Sequence, residues 1–233
     1  MGITKYRFHR GDIGELSERY PAFEQLKGSA GVGWYQWIEQ ATGLGSFEKM
    51  VLFIGKSGYG KSTTLNSLIG KPILETSDVT ACTRECQSLD FHIEDNYWLS
   101  LGDLPGIGEN LQRDKEYLKL YADFFDYASV IVHVLRADTR DYTVDEQATN
   151  QLINTSRLKK KVIYALGQCD KIEPTTRSLC HEPTADQLIN IDLKLREVGK
   201  VFAAHNPVVP YSAETRWNMS ALTNEIVRVA LSE

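Results

Sequence analysis

The chain has no apolar run approaching the roughly 18 residues that a membrane-spanning helix needs, and Met1 to Arg10 is too polar for a secretory signal. A cytoplasmic location is the resulting expectation. Positive charge is nowhere dense. The net charge is −5 and Lys159-Lys160-Lys161 is the only basic cluster, which argues against a sequence-independent nucleic-acid binder, because neutralising phosphates needs a basic face. Lying just before a strand, those lysines read as a solvated helix end. Cysteine is sparse as well: four residues, at 82, 86, 169 and 180, without paired Cys-x-x-Cys spacing. Reduced thiols follow, and Cys180-His181 has no second pair to complete a metal site. Disorder is not expected either, since 42% of the 233 residues are hydrophobic, enough for a real core.

What the chain does contain is concentrated between residues 49 and 69. Val51 to Ile54 reads as a buried strand, Gly55-Lys-Ser-Gly-Tyr-Gly-Lys-Ser62 follows, and Thr63 to Ile69 has helical periodicity. Strand, glycine-rich loop and helix in this order make a phosphate-binding loop. Gly55, Gly58 and Gly60 let the backbone curl so that successive N–H groups form a nest at a helix N-terminus. Gly55, Ser57, Gly58, Tyr59, Gly60, Lys61, Ser62 and Thr63 are thus the candidate phosphate contacts. Lys61 reaches the β- and γ-phosphates as a point charge, and the Ser62 hydroxyl coordinates the Mg²⁺ that bridges them.

Residues 1–48 read as an N-terminal helical extension. Glu15 to Lys27, interrupted by Pro21, and Val32 to Thr42 form two short helices separated by glycines at 28, 31 and 33. Trp34 and Trp37 are packing residues of an arm that docks on the domain or on a second copy. Beyond the P-loop helix, Ile73 to Arg84 is polar and aperiodic, the right place for a switch that senses the γ-phosphate, with Thr80 and Thr83 both able to complete the Mg²⁺ shell. Glu85 to Glu94 and Tyr97 to Leu101 read as a strand pair turned at Asp95-Asn96, delivering Asp103-Leu-Pro-Gly106. Asp103 there holds Mg²⁺ through water, and the Gly106 N–H meets the γ-phosphate.

Further on, helices over Gly108–Tyr127, Val144–Thr155, Pro183–Phe202 and Arg216–Leu231 alternate with strands over Ser129–Leu135, Lys161–Leu166 and Val208–Val209. His133 lies in an apolar run and reads as a satisfied core histidine. The alternation predicts an α/β fold over residues 49–233: a doubly wound, mainly parallel six-stranded sheet with one antiparallel strand and the ligand at the strand C-termini. Asp170, in Gly167-Gln-Cys-Asp170-Lys171, can accept from both the N1–H and the exocyclic amine of guanine, a donor pair that adenine lacks. The tight loop Ser212-Ala213-Glu214 offers a backbone N–H to the guanine O6.

This order of motifs resembles that of the translation-factor-related GTPases, nearest the Era-like group and its septin-like and bacterial ribosome-associated relatives. The resemblance covers residues 49–231. It implies a nucleotide-dependent switch that hydrolyses GTP to GDP, with Lys61, Thr83 and Gly106 in catalytic roles and Ser62, Thr83 and Asp103 around Mg²⁺. Thr83 precedes Arg84 as the switch Thr precedes Arg in that group, which favours it over Thr80. Gln168, Asp170, Lys171 and Ser212 to Glu214 fall on the base-reading motifs.

Three departures carry consequences. Gly167 stands where the family has an Asn, and so supplies no side-chain amide to hold guanine N7 or brace the P-loop; guanine selectivity then depends on Asp170, and ATP stays open as a ligand. Ile107 stands where some families have a water-positioning Gln, which implies slow intrinsic hydrolysis. Gly58 replaces the Asn of K⁺-activated relatives, so K⁺ activation is not expected. The alternative readings are a septin- or dynamin-like module whose nucleotide controls a homodimer, and a ribosome-associated GTPase by analogy alone. No RNA-binding extension of the kind found in Era-like relatives follows the last helix, which suits either a small G protein or part of a longer one. The sequence names no effector.

Overall fold

Short runs of β-branched and aromatic residues alternate with amphipathic helices along most of the chain, and in the computed structural model they assemble one mixed sheet. The structure describes residues 5–31, 33–38, 43–76, 85–175 and 182–232. The strands are β1 (Lys5–Asp12), β2 (Tyr35–Ile38), β3 (Gly45–Ile54), β4 (Cys86–Glu94), β5 (Tyr97–Asp103), β6 (Ala128–Arg136), β7 (Val162–Gly167) and β8 (Val209–Pro210), ordered β1-β4-β5-β3-β6-β7-β8 with β2 beside β3. β6 and β7 are buried almost throughout, as parallel strands covered on both faces must be. The helices are α1 (Gly14–Ser17), α2 (Lys61–Ile69), α3 (Leu111–Phe125), α4 (Thr143–Leu152), α5 (Ser156–Lys161), α6 (Ala185–Val201) and α7 (Met219–Leu231). Local chemistry starts several of them: Asn110 accepts from the Arg113 N–H, and Thr184 with Gln187 forms a reciprocal capping box. No helix among the described residues is long and apolar enough to cross a membrane.

The α/β class and the mainly parallel order are those the sequence indicates, and β3 to β8 are the six expected strands, with β4 antiparallel to β5. Residues 5–48 are where expectation fails. In place of a helical arm they add β1, parallel to β4, and β2, antiparallel to β3. The stretch expected to be a second helix carries Tyr35-Gln-Trp37-Ile38, whose burial alternates with the two-residue period of a strand. The first expected helix survives as the four residues of α1 and a 3-10 turn that begins at Pro21. Leu16, Phe23 and Leu26 from this segment are fully buried, and the 3-10 turn packs on α7.

Charge anchors β1. The Lys5 ammonium is ion-paired with Glu48 and lies 3.0 Å from Ser100 Oγ; Arg7 donates to Asp90 at 2.5 Å and to Glu48 at 3.0 Å. Ser100 in turn donates to Asp90 at 2.8 Å. Side-chain exposure is only 1% for Lys5 and 2% for Glu48 and Asp90, so this is a buried, charge-balanced network spanning four strands.

A second correction concerns Lys161, expected at a solvated helix end together with Lys159 and Lys160. Those two are exposed, but Lys161 turns inward and donates to the Ala128 carbonyl at 2.7 Å. Its long apolar stem lets a helix-terminal lysine fill space beside β6 while its head meets a backbone acceptor.

Candidate nucleotide-binding site

The P-loop leaves the C-terminal end of β3, where the sheet order places ligands in folds of this class. Gly55 needs to be glycine twice over: its φ is +135°, and a Cβ there would lie 2.4 Å from the Val134 carbonyl oxygen of β6. Gly60 caps α2 in a left-handed conformation without any side-chain cap, leaving the first-turn N–H groups of α2 directed at the loop. The Lys61 ammonium curls under this loop, 3.2 Å from the Gly55 carbonyl and 3.1 Å from that of Lys56. Burial pushes its pKa down, opposed by Asp103, Asp145 and Glu109.

The segment after β5 closes on the same loop. Ser62 donates to Asp103, and the Ile107 N–H donates to Gly55 O at 3.2 Å while its carbonyl accepts from Ser57 N at 2.9 Å. Gly106 is packed so tightly that a Cβ would fall 2.5 Å from Ser57 N and 2.9 Å from Lys61 Nζ. Lys61, Ser62, Asp103 and Gly106, four of the residues assigned from sequence, thus come together. Thr83, like the competing Thr80, lies outside the described residues, as do Cys82, Cys180 and His181. Tyr59 points away from solvent, its phenol pushed up to about 12 by burial and then by Asp145. His133, fully buried, bonds Asp145 Oδ1 at 3.2 Å and Thr149 Oγ1 at 3.4 Å, a satisfied core histidine beneath the P-loop.

At the opposite end, Ser212 Oγ donates to Asp170 Oδ1 at 2.6 Å, holding the carboxylate that follows β7. Gln168, left-handed at φ +57°, donates its amide to Gly58 O at 3.4 Å and accepts from Lys171 at 3.0 Å. The Ala213 carbonyl is held by Ser67 of α2 at 2.9 Å, and Glu214 is exposed. An open groove of about 860 Å³ runs from Asp170 and Lys171 past Arg140 to α6.

Asn66 was invisible as a site residue in the sequence, because an Asn in a helix interior has no distinguishing spacing. Its Oδ1 accepts from the N–H groups of Ile73 (3.0 Å) and Leu74 (2.9 Å), and its amide donates to Leu74 O at 2.8 Å. Three bonds therefore fasten the start of the segment that follows α2. Asn66→Ala is expected to cost about 2 kcal/mol by leaving these part-buried groups unpaired; a urea midpoint unchanged from the parent protein would refute the latch.

Residues 50–168 match the model of the 50S ribosome-binding GTPase family. YkfA of Escherichia coli is 32% identical over 198 residues, covering 83% of this chain and 68% of YkfA. A crystal structure of Era in complex with MgGDPNP and a segment of 16S ribosomal RNA superposes with a TM-score of 0.61 at 26% identity, covering 78% of this chain and 56% of that one. Toc33 from Arabidopsis thaliana aligns with a TM-score of 0.64 over 94% of this chain and 91% of its own, but at 19% identity, a likeness of fold alone. This chain thus spans little more than half of Era. The P-loop and the Asp103–Gly106 segment fall within the residues matched to the family model, and the chain belongs to the 50S ribosome-binding GTPase family.

Proposed function

We propose that the protein binds GTP with Mg²⁺ and hydrolyses it to GDP, using loss of the γ-phosphate as a switch. The convergence of Lys61, the Ser62–Asp103 pair and Gly106 on the N-terminus of α2 carries this reading. A hydroxyl beside a carboxylate is a hard-oxygen donor set that suits Mg²⁺, whose remaining positions nucleotide phosphates and water fill. The ion would neutralise charge on the β- and γ-phosphates.

The chain's own groups do the rest. Water adds to the γ-phosphorus as its bond to the bridging oxygen breaks, and the negative charge that gathers on the leaving β-phosphate faces the Lys61 ammonium and the loop N–H groups. Ile107 holds no attacking water: its side chain is 2% exposed and its backbone N–H and C=O are both engaged with the P-loop. That geometry supports a slow intrinsic rate of hydrolysis. Asp170, oriented by Ser212, supplies the guanine contact. The family makes the ribosome the first partner to test, ahead of a nucleotide-dependent homodimer.

Calorimetry with GTP, GDP and ATP in Mg²⁺ tests the base assignment. Guanine nucleotides are expected to bind at least tenfold tighter than ATP, roughly 1.4 kcal/mol. Equal affinity for ATP would remove Asp170 from its role.

A further inference from the structure

Gly167 is the last residue of β7 and is not among the glycines with positive φ, so its backbone does not require glycine. Space does. A Cβ at 167 would lie 3.0 Å from the Tyr211 phenol oxygen, 3.1 Å from its Cζ and 3.3 Å from its Cε1. The tyrosine that claims this space is 1% exposed. Its backbone grips the end of β7 on both sides, with its N–H donating to Leu166 O at 2.9 Å and its carbonyl accepting from Cys169 N at 3.2 Å.

The Tyr211 hydroxyl lies 2.8 Å from Thr64 Oγ1, and Thr64 Oγ1 lies 2.8 Å from the Gly60 carbonyl oxygen. A carbonyl only accepts, so the single Thr64 hydroxyl proton goes to Gly60, and Tyr211 must be the donor to Thr64. Burial pushes the phenol pKa upward, which keeps that proton in place at every ordinary pH. The next residue, Ser212, holds the Asp170 carboxylate at 2.6 Å. Two further links join these segments: Gln168 to Gly58, long at 3.4 Å and exposed, and Ser67 of α2 to the Ala213 carbonyl at 2.9 Å, which holds α2 one turn beyond Thr64 and not the loop itself.

We propose that Tyr211 is a positioning residue for guanine recognition: through Thr64 its hydroxyl fixes the P-loop at Gly60 relative to Asp170, so that one rigid nucleotide meets both ends at once. The inference rests on the GTP-binding reading above. Interactions held to within about half an ångström depend on the groups that support them, and a buried hydrogen-bond chain is stiffer than an exposed amide contact. Gly167 is then the partner of this arrangement, small because the phenol occupies its side-chain space.

Tyr211→Phe keeps the ring and removes the donor. With Mg²⁺, GDP and IDP are titrated calorimetrically against the parent and the variant; IDP lacks the exocyclic amine that Asp170 accepts. The expected result is a loss of about tenfold for GDP and less than about threefold for IDP, because GDP has two contacts with Asp170 to lose and IDP, which keeps the N1–H, only one. An equal loss for both, or any pattern without preferential loss of GDP, overturns the proposal by reducing Tyr211 to packing. Thr64→Val breaks the same chain from the other side and must show the same pattern, so the test holds even if the Phe variant folds poorly. Failure of the parent protein to bind GDP defeats the functional reading and this inference together; tight GDP binding that is indifferent to both substitutions defeats this inference alone.

Discussion

Lys61→Ala is expected to lower the GTP hydrolysis rate at least a hundredfold, the scale on which a single preorganised charge or donor acts at a reacting oxyanion. The geometry argues for a large effect. The ammonium is buried, held by the Gly55 and Lys56 carbonyls and close against Gly106, so little water screens it from a phosphate lying in the loop. Lys61→Arg should fail nearly as badly, because the buried place between the Gly55 and Lys56 carbonyls holds a compact ammonium and a planar guanidinium needs more room. Phosphate release under single-turnover conditions measures the effect, with a thermal midpoint to show that each variant is folded. Retention of more than a tenth of the parent rate by a folded Lys61→Ala protein would move the chemistry elsewhere.

Lys5→Ala is expected to destabilise the protein by about 3–5 kcal/mol, the usual cost of stranding a buried charge. Glu48 keeps Arg7 as a partner, yet loses the ammonium that balances it inside a network with almost no solvent access. Lys5→Met combined with Glu48→Met removes both charges, leaves Arg7 with Asp90, and is expected to cost less than the single alanine. Guanidinium chloride unfolding decides: a loss under about 1 kcal/mol for Lys5→Ala, within the range of exposed ion pairs, would show that water reaches the network after all.

Those two residues illustrate what a sequence reveals and what it hides. Lys61 was legible because its neighbours lie within one short segment: glycines at fixed spacing, a strand before and a helix after, and chemistry that needs that spacing. Asp103, Gly106 and Asp170 were legible as candidates for the same reason, each at or just beyond the end of a strand that its own composition announces. Lys5 gave no such sign. Its partners, Glu48, Asp90 and Ser100, are 43 or more residues away, and Lys5-Tyr-Arg-Phe-His-Arg presents charge where a buried strand normally presents apolar side chains. Trp34 and Trp37 misled because a three-residue spacing fits a helix turn, whereas the alternation of Tyr35 to Ile38 is only four residues long. Tyr211 left one trace, a glycine at the end of an apolar strand, which marks close approach by something else without saying what.

β1 also sets the order in which the molecule can be built. Its one sheet neighbour among the described residues is β4, with Lys5 opposite Cys86 and Asp12 opposite His92, so about 80 residues separate each partner from the other. As the chain is synthesised, β1 emerges well before β4 and has no template until the β4–β5 hairpin exists. Throughout that interval it is an unpaired edge carrying Tyr6 and Phe8, the kind of segment that invites association with other chains. The charges of Lys5, Arg7 and Arg10 then act before folding as well as after it, keeping the waiting strand soluble and giving it a single register in which to close.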